Sequence, residues 1–334
     1  MTQPLPAHVT LAYTTRGGHP ENMHWGSVAV VDADGHLLAA AGEPSARTFA
    51  RSTIKPFQAL PFVHAGGLAR YAWGVRETAL LCASHCAEAP HVDTVVGMLA
   101  SAGNRIEDLG CGAHTPMAAS TLCEPAPPGS PWTAIHNNCS GKHAGFLASC
   151  RLHGWSLPDY LEPDHALQAG VRKALSDFAQ IDVDGLPRAV DGCSAPIYAL
   201  PLERLAFSFA RLARGDAGSA VLRDAMRSEP RLISGSDRFD LHLANYGAGD
   251  WVAKSGADGL QLIASVSRGV AIAVKLSDGN LRALNAVVIA VLRQLGWLNT
   301  PLPPALSAFD APVIRNWRGN PTGEVVCCVA LAHG

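Results

Sequence analysis

Charge is what this chain has least of. Asp, Glu, Lys and Arg make up 16% of its 334 residues, against about 25% in an average soluble domain. The formal net charge is −2. There is no basic footprint, and that excludes the electrostatic capture on which nucleic-acid binders depend. Long apolar runs are missing too. The longest, such as Ala286 to Leu292, fall far short of the ~18 residues a membrane span requires. The first residues, MTQPLPAHVTLAYTTRGG, contain no basic segment followed by an apolar one, so no secretory leader and a cytoplasmic location are expected. The nine cysteines include no CxxC pair, which removes ready-made zinc-finger and thioredoxin-like motifs. An odd number of cysteines without an export signal points to reduced thiols, most of them small apolar core residues.

What is present is apolar material, at 48% of residues. A chain so poor in charge buries an unusual fraction of itself or hides surface in an oligomer. Its length suits about two domains at roughly 150 residues each. Ser27 to Val31 and His36 to Ala40 read as a hairpin around Asp34-Gly35, a dipeptide that favours such turns. His91 to Ala102, His136 to Cys150 and Pro201 to Leu212 read as helices, and Glu124 to Trp132, rich in proline, as a loop. The last third changes character. Leu260 to Val266, Gly269 to Leu276 and Glu324 to Leu331 read as strands, with a long apolar helix at Leu281 to Leu295. The pattern predicts an α+β fold: an antiparallel sheet from both chain ends, residues 1–50 and 240–334, and an inserted mainly helical lobe, residues 51–239.

Four clusters carry chemistry. Ser52 and Lys55 form S-x-x-K at the expected start of a helix, with Pro56 in its first turn. At this spacing an amine reaches a hydroxyl, and a serine needs such a base to become a nucleophile. A lysine serves only when neutral, a form that burial or a second cation favours. Taken alone, the motif equally describes a capping serine and a solvated lysine. Lys254-Ser255-Gly256 adds weight. S-x-x-K followed, after a helical lobe, by K-[ST]-G before strands and a helix is the order found in serine β-lactamases and penicillin-binding proteins. Ser84, within Cys82-Ala83-Ser84-His85-Cys86, is a second serine suited to relaying protons, or else part of a satisfied helix end. Finally, Cys139, Lys142, His143 and Cys193 lie in two loop-like segments. By spacing, Cys139, His143 and Cys193 would suit a Cys2His zinc site; two buried free cysteines would explain them as well.

Together, Arg51-Ser52-Thr53-Ile54-Lys55-Pro56-Phe57-Gln58, Ala83-Ser84-His85, Cys111-Gly112-Ala113-His114, His136-Asn137-Asn138-Cys139-Ser140-Gly141-Lys142-His143, Asp191-Gly192-Cys193-Ser194 and Lys254-Ser255-Gly256-Ala257-Asp258-Gly259 resemble the rhizobial-type L-asparaginases, the asparaginase II family. The resemblance runs from about Thr10 to Leu331. It implies a serine-β-lactamase-like fold related to bacterial glutaminases, a homodimer, and hydrolysis of L-asparagine to L-aspartate and ammonia. It implies two Ser–Lys tandems, Ser52 with Lys55 and Ser84 with Lys254, and substrate binding by Arg51, His143 and Asp191. It also implies Zn2+ held by Cys139, Lys142 and Cys193, not necessarily as the catalyst; here Lys142 takes the place that spacing gave to His143. A glutaminase, a β-lactam or peptide hydrolase, or a non-catalytic amino-acid-binding protein are the alternatives. The stretch Ser234-Gly235-Ser236-Asp237-Arg238 departs from the family pattern, and no role is carried over to it.

Overall fold

A computed structural model describes residues 5–119 and 124–334. The chain folds into two compact units. The first gathers residues 1–53, 200–210 and 253–334, and the second residues 54–199 and 211–252. The chain changes unit after Thr53 and again after Val252, where the sequence pattern drew the lines after 50 and after 239, and the 200–210 stretch joins the first unit.

The first unit is built on a nine-stranded sheet. Its strands are β1 (Val9–Arg16), β2 (His19–Asp32), β3 (Leu37–Ala41), β4 (Trp251–Gly256), β5 (Leu260–Ser265), β6 (Val270–Leu276), β7 (Val313–Arg315), β8 (Pro321–Cys327) and β9 (Ala332–His333). The order is β7-β8-β1-β2-β6-β5-β4, with β3 on β2 and β9 on β3. Sequence reading missed β1, whose threonines interrupt the apolar run, and carried the last strand to Leu331, whereas β8 ends at Cys327. Long β2 organises the sheet. It pairs with β1 through Thr10↔Trp25, then with β3 through Val30↔Ala39, and along its other edge with β6 through Val30↔Ile272, all antiparallel. The expected hairpin turn is held by Asp32, whose Oδ1 accepts from the N–H groups of Asp34 and His36 at 2.9 Å each. The Leu281–Gln294 helix packs on β1, β6 and β8. Asn280 caps it by accepting from Ala283 N at 3.0 Å, and Leu284, Val287, Val288, Val291 and Leu292 are buried. Each such side chain gains about 1.5–3 kcal/mol by leaving water.

The second unit is mainly helical. Its principal helices are Lys55–His64, Val75–Cys82, Ala89–Ser101, Ser140–His153 and Ala166–Ala179. The Ser140–His153 helix is buried continuously from Ser140 to Cys150, which explains its weak amphipathic pattern: a helix buried all round needs no polar face. It lies close against the Val75–Cys82 helix because Gly141 and Gly145 present no side chains there. A Cβ on Gly141 would stand 2.5 Å from Leu80 O, and one on Gly145 2.3 Å from Leu81 Cδ2. Among the described residues, no helix is long and apolar enough to cross a membrane.

Candidate active site

In the second unit, functional groups converge where helices begin and end. Pro56 sits in the first turn of the Lys55–His64 helix, where its missing N–H costs nothing. Lys55, at the head of that helix, is 1% exposed. Its Nζ donates to Ala83 O at 2.5 Å, to Ser84 Oγ at 2.9 Å and, more weakly, to Asn138 O at 3.5 Å. Ser84, also buried, follows the end of the Val75–Cys82 helix. Its backbone N–H donates to Ile233 O at 2.8 Å, and the next N–H, of His85, to Asn138 O at 3.2 Å. His85 Nδ1 accepts from Ala87 N, so its Nε2 carries the ring proton and faces Ser140 Oγ at 2.8 Å. Burial, with His91 and Lys55 nearby, holds the His85 pKa well below its ordinary value, so this ring is a neutral structural donor.

The first unit holds Arg51, Ser52, Lys254 and Asp258. Ser52 is half-buried in a single 3₁₀ turn, Arg51–Ile54, rather than at the cap of the following helix. Thr53 closes this turn, donating to Ala50 O through both N (3.1 Å) and Oγ1 (2.6 Å). The turn lies against the K-S-G strand: a Cβ on Gly256 would be 3.1 Å from Thr53 Cγ2. Glycine there lets the serine-bearing turn and β4 approach. Lys254 is fully buried on β4 and donates to Ser255 O at 2.8 Å. Arg51 and Asp258 form an ion pair. Both have left-handed backbone, φ 47° and 58°, a conformation that costs residues with a Cβ on the order of 1 kcal/mol or more. The pair joins two strained positions, one beside Ser52 and one within the Lys254–Gly259 motif.

A sulfur–amine cluster lies in the second unit. Lys142 Nζ is 3.1 Å from Cys193 Sγ, and the Cys139 and Cys193 side chains are hydrogen-bonded. All three residues are buried, and both cysteines are free thiols rather than a disulfide. The Cys139 hydrogen bond, helped by Lys142, holds Cys193 well below the usual thiol range. Burial alone would lower the Lys142 pKa, but Cys193, Cys139 and Asp191 raise it overall. Asp191 Oδ2 stands 3.8 Å from Cys193 Sγ. Asn137 braces the loop: its amide donates to Cys111 O and Gly112 O, and its Oδ1 accepts from Cys139 N at 2.8 Å. Two sulfurs and an amine gathered in one buried nest fit zinc's preference for nitrogen and thiolate ligands. The amine at Cys193 is that of Lys142. His143, which spacing alone favoured as a ligand, points its Nδ1 elsewhere, 2.6 Å from Tyr160 Oη.

A second donor group, Cys86, Glu88 and His91, was not singled out as a metal site by sequence. Its ligand atoms lie within 4.8 Å of one another. The carboxylate is already spoken for. It accepts from Ser236 N at 2.7 Å, from Ser236 Oγ at 2.9 Å and from Arg231 Nη2 at 2.8 Å. A guanidinium at this carboxylate opposes a cation, so the group is a clamp on the 231–236 segment. Gly235 completes it: with φ 134°, a Cβ there would meet Cys86 Sγ at 2.1 Å. The sequence gives Tyr160 no role, and it places Glu88 at the end of the polar run that holds Ser84 without assigning it a partner.

The chain thus sets a buried lysine on a serine hydroxyl in a mixed helix-and-strand architecture, with a second buried lysine on a sheet strand. The chain belongs to the L-asparaginase II family, whose model matches residues 12–327. It is therefore an enzyme acting as an asparaginase. No curated protein sequence matches it.

Proposed function

We propose that this enzyme hydrolyses L-asparagine to L-aspartate and ammonia through a serine acyl-enzyme, with Ser52 as nucleophile and Lys55 as its base. The observation that carries the reading is the buried hydrogen bond between Lys55 Nζ and Ser84 Oγ. It supports Lys55 as a base within reach of a serine hydroxyl, that of Ser84, and the reading adds Ser52, three residues before the lysine, as the serine it activates. Ser52 Oγ attacks the side-chain amide carbon while Lys55 takes the hydroxyl proton. Backbone N–H groups at the start of the helix hold the oxyanion, each worth about 3 kcal/mol. The C–N bond breaks, and Ser84 relays a proton from Lys55 to the departing ammonia. Water then cleaves the ester, releasing aspartate and restoring the Ser52 hydroxyl. Lys254 adds the second cation, and Arg51, His143 and Asp191 bind the amino-acid end of the substrate. In this reading the fold is of the serine-β-lactamase kind, and the active form is a cytoplasmic homodimer.

Zn2+ would be held by Cys139, Lys142 and Cys193. When bound it would supply a fixed positive charge and rigidify the loop beside His143. Lys142 must be neutral to ligate, so metal uptake releases a proton.

The test is ammonia release from asparagine, glutamine and a chromogenic β-lactam, with and without chelator. Turnover of asparagine that exceeds that of glutamine and survives chelation is expected. Preference for glutamine would make the enzyme a glutaminase. Hydrolysis of the β-lactam alone would place it with the penicillin-recognising hydrolases. Tight asparagine binding without turnover would make it a binding protein, and loss of all activity on chelation a metallohydrolase.

A further inference from the structure

Tyr160 has no role in any motif, yet it is among the largest fully buried side chains. Its hydroxyl has two partners. Gly110 N donates to it at 2.8 Å, and His143 Nδ1 lies 2.6 Å away. A backbone N–H can only donate, so the phenol proton has one place to go. Tyr160 Oη–H donates to His143 Nδ1, which must be bare, and the proton of the neutral ring sits on Nε2. That Nε2 is buried and has no hydrogen-bond partner among the described residues. A donor left unpaired inside a protein costs about 1–3 kcal/mol, so native folds keep few of them without a purpose.

The junction is closely fitted. A Cβ on Gly110 would come within 2.8 Å of Leu161 Cδ1 and 3.0 Å of Tyr160 Oη, so glycine is what lets this backbone N–H reach the phenol. Tyr160 is tied at its own backbone, where Gln168 Nε2 donates to Tyr160 O at 2.9 Å. The Tyr160 and His143 rings meet edge-on, at 81° and 5.7 Å between centroids.

We infer that Tyr160 is a positioning residue: through Gly110 and its own hydroxyl it locks His143 as the Nε2–H tautomer, so that His143 offers a neutral donor to a carboxylate or amide oxygen of the substrate. The second half rests on the asparaginase reading above; the tautomer does not. A neutral donor recognises an oxygen without adding charge beside Lys142. It also cannot accept, which disfavours an amide –NH2 at the same spot and gives the two ends of a side-chain amide different fates.

Two measurements test this. The first needs no variant. The enzyme is labelled with nitrogen-15 in its histidines and the His143 ring is assigned by loss of its signal in His143→Gln. The expected pattern is a bare Nδ1 and a protonated Nε2; a protonated Nδ1 overturns the inference. The second is a double-mutant cycle read by asparagine kinetics. Tyr160→Phe should raise KM about tenfold, or about 1.4 kcal/mol, with kcat within about threefold. In the His143→Gln background, whose amide N–H cannot change tautomer, Tyr160→Phe should leave KM unchanged. An equal effect in both backgrounds would mean that Tyr160 only supports the fold, and would overturn its positioning role. If the wild type released no ammonia from asparagine, the asparaginase reading would fail, while the ring-nitrogen signals would still decide the tautomer.

Discussion

Lys55 Nζ and Ser84 Oγ stand 2.9 Å apart, and the same amine reaches Ala83 O at 2.5 Å. The carbonyl next to the serine is thus held by the lysine that the serine touches. Moving either group moves the other, so the two act as one unit. Lys55→Met should lower kcat for asparagine about 10³-fold, the scale expected of a lost general base. Ser52→Ala should abolish turnover, and Ser84→Ala should leave a slow enzyme, about 10²-fold down. Ammonia release measured for the three variants decides the assignment. If Ser52→Ala keeps most activity and Ser84→Ala has none, the attacking group is Ser84.

The sulfur–amine cluster gives a prediction independent of catalysis. Purified enzyme should carry about one zinc per chain, and Cys193→Ser should lose it, because Cys193 is the sulfur that Lys142 already faces at 3.1 Å. His143→Gln should keep its zinc, since that ring is turned to Tyr160. Metal analysis of the three proteins checks both. Unchanged zinc in Cys193→Ser would remove this residue from the ligand set.

Much of the local structure was legible in the residue string because its parts are short local motifs. Pro56 in a first turn, the hairpin at Asp34-Gly35 and the polar groups around Ser84 each declare themselves within a few positions. Periodicity served well where helices have one buried face, as at Leu281–Gln294, and gave less at Ser140–His153, which is buried on all sides. What stayed hidden was long-range pairing. Nothing near Tyr160 announces that its hydroxyl meets a backbone N–H 50 residues earlier in the chain. Nothing near Glu88 announces Ser236, 148 residues on. Likewise, spacing favoured His143 over Lys142, but neighbouring helical positions point about 100° apart, and it is the Lys142 amine that faces Cys193.

The Glu88 clamp predicts an acid limb in stability. Burial alone would raise this carboxyl's pKa, but hydrogen bonds from Ser236, Arg231 and Cys86 outweigh it and hold the pKa down, from its ordinary 4.5 to about 2. The folded value lies below the unfolded one, so folding favours the carboxylate. Its contribution is fully present above about pH 4.5 and is lost as pH falls through about 2. Glu88→Gln should therefore destabilise the enzyme at neutral pH and flatten the decline below pH 4.5. Urea midpoints measured from neutral pH to pH 2.5 check this; parallel curves for wild type and variant would assign the acid limb to other carboxylates.

Gly141 and Gly145 meet different obstacles, and the difference fixes an order of damage. A methyl group on Gly141 faces a backbone carbonyl, Leu80 O, at 2.5 Å, which cannot move without the Val75–Cys82 helix. One on Gly145 faces Leu81 Cδ2 at 2.3 Å, the far end of a side chain that can rotate away. Each alanine gains about 1 kcal/mol in helix propensity, while overpacking costs about 1–3 kcal/mol. Gly145→Ala should come out near neutral. Gly141→Ala should be the more damaging, lowering the melting temperature by several degrees at about 2–4 °C per kcal/mol for a domain of this class. Its cost should extend to function. Gly141 precedes Lys142 and His143, and the helix it would displace ends just before Ser84. Calorimetry with zinc content and asparagine kinetics on both variants measures all three. Equal melting temperatures for the two would mean that the helices separate readily, and that the close approach at Gly141 contributes little to holding Lys142 and Ser84 in place.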